Sequence, residues 1–221
     1  MHHIRRHILK ILSGTKYARF RDMRPPNADS NVYSYHLRTL QSDGYVAKTA
    51  EGYTLATKGL QYVDGLRAED YRPLEWPKII VILALRNTQG KWLMAERKIQ
   101  PYIGTVMFPS GTQRRGESPL QGFERKLLEI TGLTDVPGTF RGQADIQIRD
   151  TAGELLTHVA ANVYEAVLPP SVLGAETDRF RYVWSNFGEG RTKTMAGNAQ
   201  LHAALEQPGV FNICITGEHA A

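Results

Sequence analysis

The sequence predicts an α+β protein in two parts. A small, mostly helical module spans 1–66, a linker spans 67–76, and a larger α/β/α sandwich spans 77–221. Three observations predict this. Apolar residues recur at helical spacing through the first module, which ends in a short hairpin and a further helix. The stretch "RAEDYRPLEWP" then interrupts the chain with charges and two prolines, the composition of a linker. After it, strand-like runs flank one strong helix and precede another, an order that places a sheet between helices.

Composition bounds the possibilities. At 42% hydrophobic and 22% charged, the chain is globular in composition. It has no long apolar run, so no membrane span is expected. The start, "MHHIRRHILKILSG", interleaves basic and apolar residues and lacks the unbroken apolar core of a secretory signal. A single cysteine, Cys214, excludes an internal disulfide framework, and a cytoplasmic location is expected. In "FNICIT", Cys214 reads as a small core residue of a terminal strand. Charge is uneven. Residues 1–70 hold 11 Lys/Arg against 7 Asp/Glu, a net of +4, while residues 71–221 hold 16 against 15, a net of +1. A basic module beside a nearly neutral one points to a polyanionic partner for the first.

In the first module Ile4, Ile8, Leu9, Ile11 and Leu12 mark a helix over 3–12, ended by Ser13-Gly14. A short helix fits 18–23, and "RPPNADS" breaks the chain. A third helix runs from Ser30, read as its N-cap, to about Ser42. Val32, Leu37 and Leu40 face inward, with Tyr33 or His36 at the edge. His36 reads as a packed, hydrogen-bonded histidine, because no second ligand lies at metal spacing. Two short strands, 45–49 and 52–55, flank a turn, and Thr57 opens a helix to Leu66. This is the order of a winged helix-turn-helix. The stretch "SNVYSYHLRTLQSDGYVAKTAEGYTLATKG" resembles the recognition helix and wing of winged-helix regulators, particularly the ArsR/MarR-like group. A recognition helix presents polar side chains to the major groove. Here Ser30, Asn31, Ser34 and Arg38 supply them, with Tyr33 or Tyr35 reaching sugar or phosphate. Lys48 on the wing, and Arg19 or Arg21, are placed to meet phosphates.

The second module opens with a central strand, Ile79 to Leu85, a turn at Asn87 to Gly90, and a strand from Trp92 to Glu96. "FRGQADIQIRD" and "GELLTHVAANVYEAVL" read as a long antiparallel pair. "RFRYVWS" reads as a short strand, "AGNAQLHAALEQPG" as a helix and "VFNICIT" as a last strand. Between them lies "PSGTQRRGESPLQGFERKLLEITGL". It resembles the Nudix box, G-x5-E-x7-R-E-U-x-E-E-x-G-U with U aliphatic. Gly111, Glu117, Arg125, Leu127, Glu129, Gly132 and Leu133 match it in register. The resemblance, over about 77–216, implies a Nudix sandwich.

Departures from the box concern chemistry. In the family, helix glutamates bind magnesium or manganese and polarise a diphosphate and its attacking water. At those three positions this chain has Lys126, Glu129 and Ile130. Hard divalent cations want several anionic oxygens, and Glu129 alone is a weak site. Ser110 replaces a glycine common before the box. Glu124 lies about 200° round the helix from Lys126 and points elsewhere. Glu96, Glu165, Glu176 and Glu189 are carboxylates that another segment could bring. The frame is kept: the family's arginine at Arg125 pairs with the glutamate at Glu117, and Ser118-Pro119 suits a helix start.

These readings combine into a DNA-binding transcription regulator, a homodimer on double-stranded DNA, whose Nudix-like domain senses a nucleotide-diphosphate-type ligand. Arg97, Arg114, Arg115, Lys126 and Glu129 are its candidate ligand contacts. No cofactor is expected. Magnesium or manganese enters only under the alternative, an active Nudix pyrophosphohydrolase with an accessory winged helix. Regulators joining the two kinds of domain act in NAD and sugar metabolism, with the Nudix-like part first. This chain resembles them in content and reverses the order.

Overall fold

The structure, a computed structural model, describes residues 1–64, 77–188 and 194–219. The linker expected over 67–76 and the end of the preceding helix lie outside these residues, as does Glu189. Contacts divide the chain into two compact units, Met1–Leu74 with Lys98–Ile103, and Glu75–Arg97 with Gly104–Ala221. Residues 98–103, which the sequence places in the larger module, thus group with the first unit. No helix among the described residues is long and apolar enough to cross a membrane.

The first unit holds α1 (His3–Ser13), a short 3-10 helix (Phe20–Met23), α2 (Ser30–Ser42), β1 (Val46–Lys48), β2 (Tyr53–Leu55) and α3 (Thr57–Asp64). α1 buries Ile4, Ile8, Leu9 and Leu12, a stripe at helical period, against α2, which buries Tyr33, His36, Leu37 and Leu40. The cap of α2 is Asp29, one residue before the expected Ser30. Its carboxylate accepts the N–H groups of Asn31 and Val32 at 2.8 and 3.1 Å. Val32, expected inside, is exposed, and Tyr33 takes the interior instead. β1 and β2 form the expected hairpin, and Ala18 adds a bridge to Tyr53, so the expected second helix starts only at Phe20.

The second unit is built on an eight-stranded mixed sheet. Its strands are β3 (Lys78–Asn87), β4 (Trp92–Arg97), β5 (Val106–Met107), β6 (Ser110–Thr112), β7 (Thr139–Asp150), β8 (Leu155–Leu168), β9 (Phe180–Ser185) and β10 (Phe211–His219). The main order is β10-β7-β8-β3-β4-β5, with β6 on β3 and β9 on β4. β3 runs parallel to β8 and is buried on both faces, which explains its unbroken apolar sequence. Val81, Leu83 and Leu85 join the core layer of α4 (Pro119–Thr131), with Phe123, Leu127 and Ile130. Ile82 and Ala84 turn the other way, to the layer of α5 (Asn198–Leu205), with Trp92, Phe108, Leu201 and Leu205. A helix on each face makes the expected α/β/α arrangement.

Cys214 departs from expectation. Alternation along β10 sends Ile213 and Ile215 to the α5 layer and Cys214 to the opposite, exposed face. There it lies in register with Asp145, which accepts a hydrogen bond from His158 at 3.0 Å.

Candidate functional site

The candidate site in the second unit is assembled by β6, the loop 113–118 and α4. Ser118 caps the helix: its side chain accepts the Gln121 N–H at 3.2 Å, and the Gln121 side chain accepts the Ser118 N–H at 2.8 Å. Pro119 occupies the first turn, where its missing N–H costs nothing. Gly132 closes the helix at φ 71°, a left-handed conformation that favours glycine.

Arg125 binds loop to helix. Its Nε donates to Glu117 Oε1 at 2.6 Å and its Nη2 to Glu117 Oε2 at 2.9 Å. Nη2 also donates to the Thr112 carbonyl at 3.1 Å, and Nη1 to Glu129 Oε1 at 3.0 Å. A planar fork that serves three acceptor groups is fixed in place. Glu117 also accepts the Arg114 N–H at 2.8 Å. The Arg125 bond, with help from the Arg114 N–H, holds its carboxyl at a pKa of about 2, against the effect of partial burial. The same pairing raises the Arg125 pKa further above its ordinary value.

Glu129, the remaining carboxylate of the three expected metal positions, is already occupied. Lys126 Nζ lies 3.0 Å from its Oε2, Arg125 Nη1 3.0 Å from its Oε1, and Arg114 Nη2 3.8 Å from Oε1. Burial pushes its carboxyl up, but the bonds from Lys126 and Arg125 prevail and hold it below the ordinary range. Lys126 is seated by Gly111: a Cβ at 111 would lie 3.0 Å from Lys126 Cδ. Ile130 is 1% exposed and part of the core layer, so its position faces apolar neighbours. The Ala175 N–H donates to its carbonyl at 2.6 Å.

This donor set does not fit a divalent cation. Magnesium sits about 2.0–2.1 Å from its oxygens and wants an octahedral shell. Both oxygens of Glu129 face cationic nitrogens. Unit charges 4 Å apart near a protein surface interact by roughly 4 kcal/mol, a repulsion that a divalent cation doubles. Two of the four carboxylates considered as help from elsewhere are also committed: Glu96 pairs with Arg181 at 2.6 Å, and Glu165 with Arg141. Among the described residues no cluster of three or more His, Cys, Asp and Glu is placed to hold a metal.

Of the other candidate contacts, Arg114 and Arg115 are exposed on the loop. Arg97 stands on β4 with its guanidinium 5.7 Å from the Phe180 ring. Sequence reasoning missed two residues. A Cβ at Gly122 would meet both Glu117 Oε2 and Val81 at 3.3 Å, so this glycine lets the carboxylate lie against the helix. Tyr182 packs against the α4 layer, and burial together with the Glu129 charge pushes its phenol up to about 12. Neither has a signal in the box; Tyr182 reaches the layer only through the pairing of β9 with β4.

In the first unit, Ser30, Asn31, Tyr35 and Arg38 are exposed on α2, Ser34 is half-buried, and Lys48 is exposed on β1. Tyr33 is a correction. It is 0% exposed, its hydroxyl donates to the Phe20 carbonyl at 2.7 Å, and burial pushes its pKa up to about 12. A buried phenol with its proton committed cannot reach a phosphate. His36 is buried, and its Nδ1 accepts the Arg5 Nε–H at 3.4 Å.

Among solved structures, the chain is similar to proteins of the Nudix class, and it has a Nudix-like fold. The MutT protein of Bacillus halodurans matches with a TM-score of 0.50 at 17% identity, over 63% of this chain and 89% of that one. The NUDIX domain of Shewanella oneidensis NrtR, complexed with ADP ribose, matches at 0.48 and 19%, over 62% and 92%. A MutT NUDIX hydrolase from Burkholderia pseudomallei matches at 0.47 and 24%, over 60% and 98%. The first of these likenesses shows the fold alone. No protein-family model and no curated protein matches the chain.

Proposed function

We propose that the chain is a DNA-binding transcription regulator. Its first unit acts as a winged helix-turn-helix on double-stranded DNA, and its Nudix-like domain binds a nucleotide-diphosphate-type ligand without hydrolysing it. The observation that carries the reading is the state of the box helix. Its frame is braced by Arg125 and Glu117, while Lys126 and Arg125 occupy Glu129 and the core occupies Ile130. A domain that keeps its loop shape and lacks a place for metal-activated water suits recognition better than turnover.

The first unit supports the DNA half. Exposed Asn31 and Arg38 have the chemistry to read adenine and guanine edges, and exposed Lys48 has the charge to meet phosphate. Reading two half-sites calls for a homodimer. For the ligand to act as a signal, it must favour one geometry of that dimer over another.

Selection of bound DNA from a random pool, repeated with ADP-ribose and other nucleotide diphosphates present, tests the reading. A defined sequence should emerge, with a yield that changes when the active nucleotide is added. Steady turnover of ADP-ribose, NADH or dinucleoside polyphosphates in magnesium or manganese, at ordinary enzyme rates, would overthrow it in favour of a hydrolase.

A further inference from the structure

We infer that the Nudix-like domain holds the diphosphate of its ligand without a divalent metal, with Lys126 and Arg114 supplying the positive charge. The inference rests on the ligand-sensing reading above and specifies its chemistry. The cluster on this surface contains three cations, Arg114, Arg125 and Lys126, against two carboxylates, Glu117 and Glu129. Arg115, exposed on the same loop, adds another positive charge nearby. The cluster therefore attracts anions and repels cations.

Its members are not equally free. Arg125 serves both oxygens of Glu117, one oxygen of Glu129 and the Thr112 carbonyl, so moving it would dismantle the loop. Among the described residues Lys126 has a single ion pair, to Glu129, on a flexible stem laid along Gly111. Arg114 is 61% exposed and approaches Glu129 no nearer than 3.8 Å. A diphosphate carries more negative charge than one carboxylate and offers more acceptor oxygens. Lys126 and Arg114 exchange Glu129 for the diphosphate, while Arg125 stays and keeps Glu129 neutralised. Gly111 is what permits this, since a side chain there would push the lysine stem off the strand. Nothing is cleaved, and no bond is made beyond ion pairs and hydrogen bonds.

The sign of the magnesium effect follows. Magnesium bound to the free nucleotide reduces the charge that the cluster recognises, so added magnesium weakens binding or leaves it unchanged. At a metal-requiring site the same addition would create binding.

The experiment is calorimetric titration of the full chain with ADP-ribose, in EDTA and in magnesium, with product formation followed in the same samples. Binding is expected in EDTA, no tighter in magnesium, with no product. Lys126→Glu should lose roughly 10-fold or more in affinity, as expected for losing a charge-assisted hydrogen bond, and Lys126→Arg should retain most of it. Arg114→Ala, at an exposed position, gives a second loss independent of folding, and thermal melting of each variant checks the fold. Binding that appears only with magnesium and survives both Lys126→Glu and Arg114→Ala would overturn the inference while sparing the ligand-sensing reading. Failure to bind ADP-ribose, ADP or pyrophosphate in either condition would remove both.

Discussion

Arg125 and Glu117 show how much of the site one pair of residues decides. Their eight-residue spacing is meaningful only because a turn and a helix start lie between them, bringing the guanidinium onto the carboxylate at 2.6 and 2.9 Å. Arg125→Ala should lower stability by about 2–3 kcal/mol, because it leaves the largely enclosed Glu117 carboxylate with only the Arg114 N–H among the described residues. Chemical denaturation of the two proteins measures the difference. The pH dependence has a definite sign. Glu117 is depressed from 4.5 to about 2, so the stability it adds is fully present above about pH 4.5 and is lost as pH falls toward 2. Acid unfolding of Arg125→Ala should lack that part of the decline. Both residues were legible in the sequence. Tyr33 was not read correctly, because its neighbour Val32 is the more apolar side chain and a two-way choice of helix face cannot be made from hydropathy alone. The hydrogen bond to the Phe20 carbonyl, which decides it, depends on a turn thirteen residues away.

At the scale of elements, α4 was legible from end to end because each boundary carries a local chemical signal. Ser118 and Gln121 form the capping box, Pro119 starts the helix and Gly132 ends it. Ser118→Ala removes the reciprocal cap and should cost about 1 kcal/mol, seen as a lower melting temperature with the fold intact. β5 and β6, two and three residues long, have no periodicity to read; they exist because β3 and β4 offer partners. The same dependence on partners hid Tyr182. Cys214 was misread for the opposite reason. An apolar-looking run of "FNICIT" still alternates, and only the parallel pairing of β10 with β7 fixes which residues face α5.

At the scale of the whole molecule, charge is divided between the two parts as the two proposed roles require. The excess of +4 in residues 1–70 belongs to the part that carries α2 and the hairpin. If that part grips phosphates, log affinity for duplex DNA should fall linearly with log salt. Lys48→Ala should make that slope shallower by about one across all sequences, whereas Arg38→Ala should mainly blur sequence preference. Binding isotherms over a salt series separate the two effects. On the proposed reading, in which it does not hydrolyse its ligand, the second unit invites a different question, whether it could be engineered into a hydrolase. Exchanging Lys126 for glutamate would alter a partly exposed side chain at the edge of the cluster. Exchanging Ile130 would alter the interior, because it belongs to the layer with Val81, Leu83 and Phe123, and a carboxylate placed there would be driven to its neutral form by its apolar surroundings. The obstacle to such a conversion lies in the packing beneath the helix, so a designer would have to rebuild the interior before touching the chemistry.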